Sequence, residues 1–257
     1  MFKAKKRFGQ NFLKDKNILR TIISTADISP EETIIEVGPG KGALTEHLLQ
    51  EAKKVVCLEK DRDLIPILEE KFFKKPGFKL INIDALEYHI PQIKYKVVAN
   101  IPYNITSPLI NFFLKNANKP DSLTLLIQYE VAKKICDKEQ SSVLNLQVKL
   151  YGDATYIKKV KNTAFYPRPK VDSAIIHIKT INRFSSEEAE KIEKIIKTAF
   201  SQKRKKLIRT LAKNLDLPLS KLETIFETLN LPQNIRPQNL SIEDYNALSK
   251  AISGIKG

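Results

Sequence analysis

The chain has 257 residues, 42% of them hydrophobic, which is enough for one large domain and a smaller one, each with its own core. Its 44 Lys and Arg against 29 Asp and Glu leave a formal net charge of +15, so long-range electrostatics favour a polyanionic partner, phosphate backbones first. No apolar run approaches the roughly 18 residues of a membrane span, and Met1-Phe2-Lys3 leads into charge rather than a signal-peptide apolar region, so a cytoplasmic protein without a membrane partner is expected.

The chain opens on a basic arm in which Lys3, Lys5, Lys6, Arg7, Lys14, Lys16 and Arg20 face a single acid, Asp15. From about residue 33, short β-branched runs alternate with amphipathic segments. Strands are expected at 33–37, 54–58, 78–83, 95–99 and 122–128, with helices at 43–50, 64–73 and 108–115. This alternation predicts βαβ units on a mostly parallel sheet, an α/β Rossmann-like fold. Thr106 or Ser107 followed by Pro108 reads as an N-cap and first-turn pair. Cys57, in a strand-like run, and Cys136, in a helical one, lack paired metal spacing and read as buried thiols. His47, His89 and His177 are far apart in sequence and support neither a zinc site nor a His-based triad, so no metal is expected. Runs at 155–160 and 174–180, joined by Phe165-Tyr166-Pro167-Arg168-Pro169, predict an antiparallel hairpin closing the sheet. From Ser185 onward the period is helical, with stops at Pro218 and Pro232 and a capping signal at Ser241-Ile242-Glu243-Asp244. A first domain over 1–183 and a helical domain over 184–257 are expected, to which the motifs and the resemblance below assign catalysis and RNA binding respectively.

Glu36-Val37-Gly38-Pro39-Gly40-Lys41-Gly42 follows the first strand and precedes a helix, the setting of a nucleotide-binding loop. With Ala43 it also scores as the dinucleotide pattern Gly-x-Gly-x-x-Ala, and Glu59 follows Gly38 at the distance where an acid would grip a ribose. NAD is therefore a rival ligand at this step. Two further strand ends favour S-adenosylmethionine: Asp84, placed to accept from an adenine amino group, and Asn100, placed near a methyl donor. In Asn100-Ile101-Pro102-Tyr103 an amide, a proline and an aromatic ring directly follow an apolar run. That combination suits a flipped adenine, whose amino hydrogens an Asn oxygen and a backbone carbonyl can accept while Tyr stacks on the base. A plain Pro-containing turn with a buried Tyr is the competing explanation.

Together these stretches resemble the ribosomal RNA adenine N6,N6-dimethyltransferases, and within them the enzymes of the small subunit. The resemblance rests on Phe8-Gly9-Gln10-Asn11-Phe12-Leu13, the glycine loop, Glu59-Lys60-Asp61, Asp84-Ala85, Asn100 to Ile105, the Phe165 to Ser173 stretch, Phe200 to Leu207 and Arg236 to Ser241. It spans nearly the whole chain in the right order. Tyr129, where the family usually has Lys, and Leu207-Ile208-Arg209-Thr210 depart from the pattern. The resemblance implies a class I S-adenosylmethionine-dependent methyltransferase sheet with a small all-helical C-terminal domain. It also implies that Asn11 and Leu13 join Gly38, Gly40, Glu59, Asp84 and Asn100 around the cofactor. The implied substrate is two adjacent adenosines in a 3'-terminal hairpin of small-subunit (16S) ribosomal RNA, free or in a pre-assembled subunit, modified by a monomeric enzyme.

On this reading Asn100, Ile101, Pro102 and Tyr103 form the catalytic site. Phe165, in the Pro-rich loop, is the candidate for the second face of the base. Lys203, Arg204, Lys205, Lys206 and Arg209 form a basic cluster on a predicted helix. With Lys5, Lys6 and Arg7 of the arm and Arg168, they are expected to contact RNA phosphates. Three other readings stay open: a large-subunit adenine methyltransferase of the macrolide-resistance type, a non-catalytic RNA-binding assembly factor, and a dinucleotide oxidoreductase.

Overall fold

A computed structural model describes Lys5 and residues 9–256. The chain begins with a short strand, β1 (Phe12–Leu13), and a helix, α1 (Lys16–Ala26). Asp15 starts α1 as its N-cap, its carboxylate accepting from the amides of Asn17 at 2.8 Å and Ile18 at 3.3 Å, an arrangement worth about 1 kcal/mol. Ile18, Leu19, Ile22 and Ala26 fall on one side at helical spacing and are the residues α1 buries.

The alternation then runs β2 (Thr33–Val37), α2 (Ala43–Glu51), β3 (Lys54–Glu59), α3 (Ile65–Phe72), β4 (Phe78–Asn82), β5 (Lys96–Asn100), α4 (Thr106–Lys115) and β6 (Ser122–Gln128). After α5 (Tyr129–Ile135) and α6 (Val143–Tyr151) come β7 (Gly152–Val160), β8 (Phe165–Tyr166) and β9 (Ser173–Thr180). The seven-stranded sheet has the order β4-β3-β2-β5-β6-β9-β7. The pairings β2–β3, β3–β4, β2–β5 and β5–β6 are parallel, while β6 and β9 are antiparallel, with Gln128 opposite Ser173. The architecture is thus the expected α/β Rossmann-like sheet with an antiparallel end. Strands buried on both faces need no alternation, and β6 is buried at every position except Gln128. The chain order reverses at β2, so the carboxyl ends of β2 and β5 open at the switch point where such sheets bind ligands. A separate two-stranded ladder pairs β1 with β8, antiparallel, setting Phe12 opposite Tyr166 and Leu13 opposite Phe165.

The strands expected at 33–37 and 122–128 coincide with β2 and β6. Helix α4 starts earlier than expected, because a 3-10 turn over Tyr103–Ile105 feeds directly into it. Ile105 therefore occupies the N-cap and neither Thr106 nor Ser107 does, while Pro108 falls in the first turn, where a missing N–H costs nothing. Gly42 caps α2 at φ +76, and a Cβ there would lie 2.3 Å from Phe72 Cε2, so the turn admits only glycine.

The chain divides into two compact units, one running to Lys133 and taking in Asp153–Thr180, the other made of Lys134–Gly152 and the chain from Ile181 onward. The first has a core that includes Leu19, Ile22, Leu48, Val98, Leu126 and Ile175. In the second, α7 (Ser186–Phe200), α8 (Leu207–Leu215), α9 (Leu219–Thr228) and α10 (Ile242–Lys256) form the helical tail. Ser185 and Glu188 close a reciprocal capping box on α7, and Ser241 and Asp244 bond reciprocally at the start of α10. The division differs from a cut at 183 and 184 in two respects: the boundary falls between Thr180 and Ile181, and residues 134–152 belong with the helices. The reason is packing, since Leu146 and Leu150 of α6 share a core with Ile192, Leu207, Phe226 and Tyr245.

Candidate active site

The carboxyl ends of β2 to β5, together with residues 9–14, line one cleft of about 880 Å³ in the first unit. Gly38, Gly40, Glu59, Asp84, Asn11, Leu13, Asn100, Ile101, Pro102 and Tyr103 all border it. The cofactor and catalytic positions expected from sequence, Phe165 apart, therefore share one cavity.

The glycine loop runs from the end of β2. Gly38 N–H donates to the Leu58 carbonyl at 2.9 Å, and Gly40 N–H donates to Glu59 Oε2 at 3.3 Å. At Gly40, with φ +61, a Cβ would sit 3.0 Å from Phe12 Cδ1, so the loop needs glycine to let the β1 side chain lie against it. Glu59 Oε1 accepts from the Asp61 amide at 2.8 Å, which fixes the buried carboxylate in the cavity wall. Burial pushes its pKa up against those bonds. Asp84 behaves in the opposite way. Lys60 Nζ, 2.6 Å from Oδ2, is the main cause holding its carboxyl below the usual range, and the Leu86 amide donates to Oδ1 at 3.1 Å.

Glu36 lies beneath the loop, only 2% exposed, and its carboxyl is raised to about 7 chiefly by burial. Thr45 Oγ1 donates to its Oε2 at 2.7 Å, and the Cys57 thiol donates to the same oxygen at 3.4 Å. Cys57 is accordingly a buried free thiol held protonated by burial, and Cys136 is a partly buried one. Among the described residues no group of three or more His, Cys, Asp or Glu side chains could hold a metal ion.

Asn100 is the last residue of β5. Its Nδ2 donates to the Asn11 carbonyl at 3.2 Å, which turns the side-chain oxygen away from that segment as an acceptor. Ile101 continues the ladder by donating to the Leu126 carbonyl at 3.1 Å. Tyr103 lies in the 3-10 turn after Pro102, and its phenol shares a 2.7 Å hydrogen bond with Ser173 Oγ, which is fully buried. Burial raises the phenol pKa, so the hydroxyl stays neutral at any physiological pH.

Phe165 is the residue that the structure does not bring to the cleft. It is 5% exposed and sits in the core with Leu13, Leu126 and Ile175, whereas Tyr166, 64% exposed, lines the cavity with Pro167. Successive residues of a strand face opposite sides, and the β1–β8 register sends Phe165 and Leu13 inward. Leu13 thus borders the cavity while packing its side chain into the core.

The basic cluster also differs from expectation. Helix α7 ends at Phe200, so Lys203, Arg204 and Lys205 occupy a turn, Lys206 is the N-cap of α8 and only Arg209 is helical. The Leu207 amide donates to the Ile235 carbonyl at 3.0 Å, which breaks the helical ladder there, and all five basic side chains are exposed. Arg168 donates through Nε to Asn162 Oδ1 at 2.9 Å, so part of its fork braces its own loop. Lys6 and Arg7 lie outside the described residues. Lys5 does not project freely: it contacts Asp61 at 2.5 Å and Asp63 at 2.6 Å, and Gln10 Nε2 donates to Asp61 Oδ2 at 2.7 Å. Sequence reasoning quoted Gln10 and Asp61 only as matched positions. They are remote from each other along the chain, so their pairing has no local signal, and the same holds for Tyr103 and Ser173.

A family profile described as ribosomal RNA adenine dimethylase matches residues 1–253. The ribosomal RNA small subunit methyltransferase A of Fusobacterium nucleatum subsp. nucleatum is 38% identical over 98% of this chain and 99% of its own length. The protein of the same name from Clostridium botulinum strain Loch Maree is 39% identical over 99% of this chain and 96% of its own. Among solved structures, a dimethyladenosine transferase from Plasmodium falciparum superposes with a TM-score of 0.81 at 26% identity, covering 94% of this chain and 98% of that one. The 23S rRNA methyltransferase ErmE superposes with a TM-score of 0.79, also at 26%, covering 95% and 100%. With a family profile spanning all but the last few residues and relatives matched from end to end, the chain belongs to the ribosomal RNA adenine dimethylase family.

Proposed function

We propose that this protein dimethylates the N6 amino groups of two adjacent adenosines in the 3'-terminal hairpin of small-subunit ribosomal RNA, with S-adenosylmethionine as methyl donor. The observation that carries the reading is the placing of Asn100: an amide acceptor held at a strand end by Asn11, in the same cleft as Glu59 and Asp84 and next to Tyr103. The end-to-end match to proteins named for the small subunit supports that substrate over the large-subunit alternative.

The cleft fits a nucleoside bearing an amino-acid tail: a glycine loop, a carboxylate for ribose hydroxyls at Glu59 and an ionised carboxylate at Asp84 for an adenine amino group. Asn11, Leu13, Gly38 and Gly40 border the rest. S-adenosylmethionine supplies the electrophilic methyl on its sulfonium. Asn100 Oδ1 and the Ile101 carbonyl accept the target amino hydrogens, which favours a pyramidal nitrogen whose lone pair is drawn out of the ring and aimed. Tyr103 stacks on the base, and Ser173 fixes the ring by its phenol. The proton of the methylated amine leaves to water, so no His or Lys base is required. Ser173→Ala is expected to raise KM for RNA several-fold with a smaller change in kcat. Equal loss in both would make Ser173 a general structural residue.

Lys6, Arg7, Arg168, Lys203, Arg204, Lys205, Lys206 and Arg209 bind phosphates and set register on the RNA, while Lys5 is held by Asp61 and Asp63. The double variant Lys205→Glu/Lys206→Glu is expected to weaken RNA binding and to make the slope of log affinity against log salt roughly 1.5 units shallower. An unchanged slope would leave the turn as an ordinary solvated surface. No helix among the described residues is long and apolar enough to cross a membrane, and the protein acts as a cytoplasmic monomer on small-subunit RNA or the pre-assembled subunit. The deciding test is transfer of labelled methyl to small subunits from cells lacking the activity, followed by digestion to nucleosides. Dimethyladenosine in the small subunit alone is the expected result. Label in large subunits would favour the resistance-type enzyme, and RNA binding without label a non-catalytic assembly factor.

A further inference from the structure

Edge strand β7 and helix α5 of the first unit bring two tyrosines and two lysines together at the surface. The Tyr129 and Tyr156 ring centroids lie 6.4 Å apart at 74°, edge to face. Lys159 Nζ is 4.5 Å from the Tyr129 centroid and Lys133 Nζ 5.7 Å. Tyr156 is 39% exposed and neighbouring Ile157 36%. Lysines alone would need no further explanation, since charge on an edge strand guards it against pairing with another sheet. Large exposed aromatic and aliphatic side chains on the same edge do the reverse, and they carry a cost unless something covers them.

The patch is tied to the proposed base site by consecutive links. Lys159 pairs with Asp172 at 3.1 Å, the Asp172 carbonyl accepts from the Tyr129 amide at 3.0 Å, and the next residue, Ser173, holds the Tyr103 phenol. We propose that Tyr129, Tyr156, Lys133 and Lys159 form a platform for a single-stranded nucleotide flanking the target adenosine. Its base stacks on Tyr156, which Tyr129 buttresses, and the lysines take its phosphates.

The proposal rests on the RNA reading above and extends it. Extruding one adenosine leaves its neighbours unstacked, and an aromatic face offers any base a replacement partner without regard to sequence. Where two adjacent adenosines are modified in turn, a second stacking surface beside the pocket holds one while the other reacts. The net charge of the chain, +15, favours the same occupant over a protein partner.

The test compares Tyr129→Ala/Tyr156→Ala with Tyr129→Phe/Tyr156→Phe. Affinity is read by fluorescence anisotropy with a fluorescein-labelled single-stranded RNA and with an RNA duplex of equal length. Loss of stacking is expected to weaken single-strand binding roughly tenfold, leave duplex binding and S-adenosylmethionine affinity unchanged, and raise KM for unmodified small subunits. The phenylalanine pair should match wild type. Should the alanine pair unfold, Tyr156→Ala alone carries the comparison, its ring being an exposed one. Equal losses for both RNAs, no loss for either, or a phenylalanine pair as weak as the alanine pair would overturn the platform. Wild-type protein that methylates no ribosomal RNA yet separates the two RNAs through these tyrosines would overturn the functional reading and support the platform, so the two failures are distinguishable.

Discussion

Asn100→Ala is expected to lower kcat by roughly 10²–10³-fold while the affinity for S-adenosylmethionine stays within about tenfold of wild type. The two effects come from the two ends of one amide. In the proposed mechanism the oxygen end accepts the hydrogens of the nitrogen that reacts, and removing a preorganised acceptor of that kind acts on the transition state more than on binding. The nitrogen end holds the Asn11 carbonyl at 3.2 Å, a neutral hydrogen bond whose net loss is worth about 1 kcal/mol. Asn100→Asp keeps acceptor oxygens and gives up that donor, so its rate should fall between the two. Single-turnover methyl transfer and equilibrium titration with S-adenosylmethionine make the comparison. Wild-type turnover in the alanine variant would remove Asn100 from the chemistry.

Glu36→Gln should stabilise the protein progressively as pH rises from about 4.5 to 7 and leave it nearly unchanged below about pH 4. The carboxyl has a pKa of about 7 in the fold against an ordinary 4.5, because it is buried among Thr45 from α2 and Cys57 from β3, with the Glu59 charge nearby. Below 4.5 it is protonated in folded and unfolded chains alike and costs nothing. Between 4.5 and 7 the unfolded chain releases the proton while the fold keeps it, and above 7 the fold too carries the charge, now buried, and the loss levels off. Stability is therefore lost with rising pH, by roughly 3 kcal/mol once both forms are ionised. Glutamine can accept from the same hydroxyl and thiol without titrating. Thermal unfolding from pH 5 to 8 should show the variant gaining on wild type by roughly 6–12 °C at the upper end. A difference that does not change with pH would mean that the buried carboxyl is not the titrating group.

The sheet and the cleft were legible because their signals are local. A glycine run between an apolar strand and a helix, and polar residues at Glu59, Asp84 and Asn100 directly after apolar runs, announce a ligand edge without any knowledge of which strands pair. Phe165 shows where that ends. In so short a strand parity decides which side chain turns inward, and parity comes from the partner, here β1, at the opposite end of the first unit's sequence. The turn at Lys203–Lys206 misread as helix for a similar reason, since the Ile235 carbonyl that interrupts it is remote in sequence. Helix α6 was not singled out in the sequence, and nothing in its period tells which of two cores it enters. Ser173 and Asp61 act on residues 70 and 51 positions away, and a pairing of that range leaves no spacing to read.

Leu13 and Phe165, opposite each other in the β1–β8 ladder that the Lys14 amide closes on the Ala164 carbonyl, join the part of the chain proposed to border the methyl donor to the loop that carries Tyr166 and Arg168. The ladder ties together the two segments to which the proposal assigns cofactor and substrate, so a disturbance of one is felt by the other. Replacing Phe165 to probe contact with the target base would loosen the core beneath Leu13 and surface first as weaker retention of the methyl donor. A kinetic defect at that position is thus a report on the cofactor side of the enzyme, and base stacking is better interrogated through Tyr103.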